Sequence, residues 1–189
     1  GIMDQTISAC GVADHALRID CKSYGLTQVA VPKNLVILIL NSNVKHQLVG
    51  SEYNDRRADC EKAASILGVK LLRDATLEML EANKDKMSDV VYRRALHVIT
   101  EDERVLSASE AFEKGDLKAL SELMYASHVS MRDNFEITIP EIDGLVEIVR
   151  EVLGEDKGAV RMTGGGFGGC CVAVVEPCNV EKVKAAVMA

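Results

Sequence analysis

Residues 164–169 place five glycines around a single phenylalanine, in "TGGGFGGC", and the chain then enters the apolar, β-branched segment 170–175. Glycine loses more backbone freedom on folding than any other residue, so such a run marks a place that needs left-handed dihedrals or a very close approach. Two arrangements meet that need. One is a tight β-hairpin connection, since 159–162 and 170–175 both read as strands. The other is an anion loop whose consecutive N–H groups face a phosphate with no side chain in the way. They are compatible, and both stay open. No Gly-Lys-Ser/Thr follows the glycines, so the run is not a P-loop.

A second group, "SHVSMRDNFEITIPEID" at 127–143, contains Ser127, His128 and nearby acids, the residue types of a hydrolase triad. Neighbours on a helix point in different directions and no nucleophile elbow surrounds Ser127, which argues against that chemistry. The six cysteines include the adjacent Cys170 and Cys171 but no C-x-x-C, and the histidines at 15, 46, 97 and 128 show no ligand spacing. Neither a zinc site nor a secreted disulfide framework is indicated, and the cysteines read as small core residues in a reducing cytoplasm.

The elements that must position these groups follow from the rest of the chain. With 189 residues, 48% of them hydrophobic, it is long enough for one large domain or one and a half smaller ones. A net charge of -7, with basic residues scattered among acidic ones, argues against a nucleic-acid or anionic-membrane surface. The longest apolar runs, 35–40 and 170–175, are too short to cross a membrane and read as buried strands. The chain starts "GIMDQ" without an initiator methionine and reads as a piece of something longer; no signal peptide is present in it, and such a start does not rule one out.

Residues 3–10 read as a short helix, and 15–21, 27–32 and 34–41 as successive strands. The middle is helical. One helix carries Cys60, Ala63, Ala64 and Leu67 and stops at Gly68; a second carries Val91, Ala95, Val98, Val105 and Phe112 and stops near Gly115. Asp116 caps a third with Leu117, Leu120, Met124 and Met131, and Pro140 and Gly154 bracket a fourth. A strand, the glycine loop and another strand follow, then a helix capped by Asn179. This order implies an α+β fold, a largely antiparallel sheet with helices on one face.

Taken in order, "GIMDQTISACG" (1–11), "SEYNDRRADC" (51–60), the 127–143 segment and "MTGGGFGGCCVA" (162–173) resemble the galactokinases, a branch of the GHMP family of small-molecule kinases. The likeness covers almost all of this chain but about the C-terminal half of such an enzyme. It implies that 1–33 are the end of an N-terminal domain and 34–189 a ferredoxin-like C-terminal domain that stops before its last strand. It implies that Asp4 faces the sugar's anomeric hydroxyl as general base or orienter. Gly1, through its backbone, and Tyr53, through its ring or hydroxyl, would be sugar contacts. Without the resemblance, Asp4 reads as a first-turn acid favoured by the helix dipole and Tyr53 as a packing residue. Gly164, Gly165, Gly166, Gly168 and Gly169 would lie near the transferred phosphate and brace the other loops. Arg132 and Asp133 would anchor the end of their helix.

The family's other parts are absent from these residues: a sugar-recognition motif of the type "GRVNLIGEHTDY", an arginine before it, and a "GLSSSAA" phosphate loop whose serine holds magnesium with a separate glutamate. The resemblance therefore implies a parent that phosphorylates D-galactose with ATP and Mg2+ in the cytoplasm, with an N-terminal domain of the same chain as partner. This chain alone would be inactive, because phosphoryl transfer rests on those electrostatic parts. It would also carry an apolar sheet edge and an uncovered face. The resemblance leaves room for a sugar-sensing regulator without turnover, and for a sibling kinase acting on N-acetylgalactosamine.

Overall fold

The computed structural model describes residues 1–45 and 49–189. Helix α1 (Met3–Cys10) buries none of its residues and ends where Gly11 turns extended, its N–H still bonded to the Ile7 carbonyl. Strands β1 (His15–Ile19) and β2 (Leu26–Ala30) pair antiparallel, with His15 opposite Ala30. Between them the Asp20 carboxylate accepts the N–H groups of Lys22 and Ser23, an Asx-type turn that the side chain itself builds. Both strands stop short of the expected bounds; after β2 comes Pro32, which offers no N–H to a ladder.

Strand β3 (Val36–Asn41) belongs to a second sheet, in the order β3-β5-β4, with β4 (Gly158–Thr163) and β5 (Cys170–Val175) joined by the glycine loop. Every pairing is antiparallel, as the sequence implies, but the strands form two small sheets. The alternation of a strand sorts its side chains between faces. Val160, Met162, Cys171, Ala173 and Val175 pack on Ile142, Val146, Val149 and Leu153 of α6 (Pro140–Leu153) and Val183 of α7 (Val180–Met188). That is the expected helical cover. The structure adds to it on the other face, where Ala159 and Val174 meet Val29 of β2 and Leu117, Leu120 and Met124 of α5 (Leu117–Ser130).

A third cluster holds the helical block together: Ala63, Ala64 and Leu67 of α2 (Val49–Leu67), Leu80 of α3 (Leu77–Ala82), and Val91, Ala95 and Ile99 of α4 (Asp89–Lys114). The helix α3 escapes a periodicity reading because it is only 6 residues long, yet Thr76 caps it on the Met79 N–H. Ser88 caps α4 and Asp116 caps α5, and Gly115 adopts the left-handed conformation between them (φ 66°). Two readings change. Val105 lies on the exposed side of α4, because a stripe drawn over 26 residues drifts around a 3.6-residue helix. Asn179 makes no capping bond; its side-chain amide reaches the Lys157 carbonyl instead.

Candidate active site

The glycine loop is held by backbone on two sides. The Phe167 N–H donates to the Ile137 carbonyl at 2.6 Å and the Gly169 N–H to the Val44 carbonyl at 3.1 Å, while the Gly169 carbonyl accepts from the N–H and hydroxyl of Ser42. The glycines answer to these contacts. A Cβ at Gly166 (φ +87°) would sit 2.4 Å from the Ile137 oxygen, and one at Gly168 (φ +129°) 2.6 Å from the Val44 oxygen. No side chain fits at that range, so the close approach of backbone to backbone requires glycine at both places. Gly164 and Gly165 differ. Both are exposed, with open space where a Cβ would stand. The loop is therefore a hairpin connection whose second half is structural and whose first half is free to meet a ligand.

The residue beside which the loop hangs, Ile137, follows an unusual turn. Helix α5 widens into a π-type turn over Met131–Phe135, and Glu136 is left-handed (φ 52°, ψ 55°). Three arginines grip it. Arg56 of α2 donates through Nε to the Phe135 carbonyl (2.8 Å) and through Nη2 to the Glu136 carbonyl (2.7 Å). Arg93 of α4 donates to the Asp133 carbonyl (2.8 Å), and Arg94 to the Asn134 carbonyl and the Glu136 carboxylate. The bond from Arg94 chiefly holds the Glu136 carboxyl below its usual range. Arg132 and Asp133 pair with each other at the surface rather than anchoring the helix end; α2 and α4 supply that anchor. The sequence offered no signal for this clamp beyond the arginines themselves, since a left-handed glutamate cannot be read from its neighbours.

Behind the turn lies a packed polar layer. His97 stacks on Phe135 with ring centroids 4.5 Å apart and its Nδ1 stands 3.0 Å from the Ser130 hydroxyl; burial pushes its pKa down to about 4. His128 is fully buried with Nε2 3.1 Å from Asp143, and burial lowers its pKa against the pull of that carboxylate. Ser127 bonds to Glu101 and Arg161 instead. Ser127 and His128 therefore serve separate networks, and no triad forms.

Tyr53 is exposed (59%) on α2, one turn before Arg56, whose guanidinium carbon stands 5.6 Å over the Phe167 ring. The helix that bears Tyr53 and the glycine loop are thus brought together. Gly1 and Asp4 are exposed at the start of the chain and the first turn of α1. That helix is tied to β2 by the bond from Gln28 to the Cys10 carbonyl. Among the described residues no hydrogen bond or ion pair joins Gly1 or Asp4 to Tyr53 or to the loop. An apolar hollow of about 310 Å³ between the β1–β2 hairpin and the second sheet, bounded by Phe112, Met124, Val172 and Val174, is lined by none of these candidates. Among the described residues no three of His, Cys, Asp or Glu come together as metal ligands.

The model of the family described as GHMP kinases C terminal matches residues 108–189, which include the π turn, α6 and the whole β4–loop–β5 hairpin. Residues 108–189 are a GHMP kinase C-terminal domain. The galactokinase of Lactococcus lactis, solved in complex with galactose, matches 99% of this chain and 49% of its own at 33% identity and a TM-score of 0.90. The mevalonate kinase of L. major, in complex with R-mevalonate, shares the fold over 92% of this chain and 44% of its own, at 16% identity and a TM-score of 0.59. The chain spans about half the length of each. Two of the contacts that shape the GHMP loop, from Val44 and Arg56, come from outside the family-model match but inside the span shared with the galactokinase.

Proposed function

We propose that this chain is the C-terminal part of a galactokinase, which transfers the terminal phosphoryl group of ATP to the anomeric hydroxyl of D-galactose. The likeness to a galactokinase along 99% of the chain carries the reading, because it takes in the segments around Gly1, Asp4 and Tyr53 that lie before the GHMP C-terminal match. Residues 1–33 then close an N-terminal domain and 34–189 form the C-terminal one.

In this reading Asp4 orients the anomeric hydroxyl and accepts its proton as the bond to phosphorus forms, the limited chemical help that phosphoryl transfer needs from protein. Its exposed place on α1 and the positive end of that helix suit an ionised carboxylate facing a ligand. Gly1 and Tyr53 contact the sugar. Gly164, Gly165, Gly166, Gly168 and Gly169 run near the transferred phosphate, and the open backbone at Gly164 and Gly165 favours those two for direct N–H contact. The arginine, phosphate loop and magnesium ligands belong to the N-terminal domain, so the chain by itself turns over no ATP. The six free thiols suit a reducing cytoplasm.

The test is ADP formation by the complete protein with galactose and with N-acetylgalactosamine as separate acceptors. Galactose-dependent turnover supports the reading. A preference for the acetylated sugar would move it to a sibling kinase, and binding of sugar and ATP without ADP would make the protein a sensor.

A further inference from the structure

We infer that Arg56 is a positioning residue for the glycine loop, holding the Phe135–Ile137 turn from which the loop is hung. The inference rests on the kinase reading only for its effect on rate. Its geometry stands alone. The two carbonyls that Arg56 binds, of Phe135 and Glu136, are consecutive, and the next residue, Ile137, accepts the Phe167 N–H and approaches Gly166. The same guanidinium lies over the Phe167 ring. One planar group thus touches the turn by two hydrogen bonds and the loop by a cation–π contact.

Local preference does not hold the turn. A glutamate in the left-handed region is strained and persists only where its surroundings impose it. Arg93 and Arg94 hold the Glu136 carboxylate from α4, but among the described residues neither makes a hydrogen bond or ion pair with the loop. Arg56 links both. It sits half-buried on a helix whose later residues, Ala63, Ala64 and Leu67, are fixed in the third core cluster. Tyr53 and the loop consequently share one rigid support, and loss of the fork would free Phe167, and with it Gly166, to move.

Lysine cannot replace this contact, because an ammonium is a point donor and does not span two diverging carbonyls. The next residue is a built-in control: Arg57 is exposed and, among the described residues, pairs with Glu61 alone at i,i+4. Amide hydrogen exchange by mass spectrometry or NMR on Arg56→Lys, Arg56→Met and Arg57→Lys reads the brace. The Phe167 amide should exchange about tenfold faster or more in both Arg56 variants, with residues 171–175 as protected as before. Arg57→Lys should match the parent. In the complete protein both Arg56 variants should lose about tenfold or more in kcat for galactose-dependent ADP formation, with KM for galactose changed by less than about twofold.

Unchanged exchange at Phe167 would overturn the inference. So would faster exchange spread through 171–175, which marks general loosening of the fold. If the complete parent forms no ADP, the kinase reading fails and the exchange pattern still decides the brace.

Discussion

At the scale of single residues, the clearest physical commitment is the neutral state of His97. Its pKa stands at about 4 against an ordinary histidine value of 6.5, chiefly through burial, with Glu101 pulling it up and Arg104, Arg161 and Arg94 pushing it down. The unfolded chain therefore takes up the proton first, and stability fully present above about pH 6.5 is lost progressively as the pH falls from there to about 4. At pH 5 the loss from this group alone is about 2 kcal/mol, from 1.5 pH units at about 1.36 kcal/mol each. Thermal unfolding of the parent and of His97→Gln between pH 7 and pH 5 should show the smaller drop in the variant; equal drops would mean that His97 is not held neutral. Tyr53 belongs to this scale too. Its ring is exposed and no described contact within the fold uses its hydroxyl, so Tyr53→Ala should change stability by less than about 0.5 kcal/mol, as at other surface sites. In the complete enzyme it should raise KM for galactose about tenfold, a loss near 1.4 kcal/mol. An unaltered KM would return Tyr53 to the surface.

At the scale of elements, the loop 164–169 separates into positions with different demands. Gly166→Ala meets both a left-handed backbone and the Ile137 oxygen, and should cost more than about 1 kcal/mol in thermal or denaturant unfolding. Gly165→Ala meets neither, and should be close to neutral in stability. If the loop tip faces phosphate, the same Gly165→Ala substitution should still lower kcat in the complete protein; full activity would leave the tip as a bare hairpin turn. The sequence made much of this level legible. Gly68, Gly115 and Gly154 all terminate helices with positive φ, and Ser88 and Asp116 cap as their types demand. What escaped had no local signal. The π turn, the left-handed Glu136 and the arginines that impose it depend on partners some 40 to 80 residues away in sequence, and short-range periodicity carries no record of them. The candidate site was legible in types and motif likeness, in Asp4, Tyr53 and the glycines. The bracing by Ser42, Val44 and Ile137 became visible only in three dimensions.

At the scale of the whole molecule, apolar side chains are left open at the edge of the second sheet and along α1. Strand β3 lies at the edge of its sheet, with Ile37 and Ile39 exposed, the latter by 63%. Ile2, Met3 and Ile7 of α1 and Val12 after it are also exposed. An unpaired apolar edge of this kind is a template for self-association. The purified chain should form soluble aggregates in light scattering at neutral pH, whereas a monodisperse monomer would show that these surfaces are harmless alone. No helix among the described residues is long and apolar enough to cross a membrane. In the proposed reading Asp4 serves the anomeric hydroxyl. Galactose-dependent ADP formation by the complete protein, with and without Asp4→Ala, reads that role. The parent should turn over and the variant should lose about 100-fold or more in kcat, the range of a lost general base, with the fold intact by circular dichroism. Turnover that survives the substitution within about threefold would contradict it, since that is far below any general-base contribution.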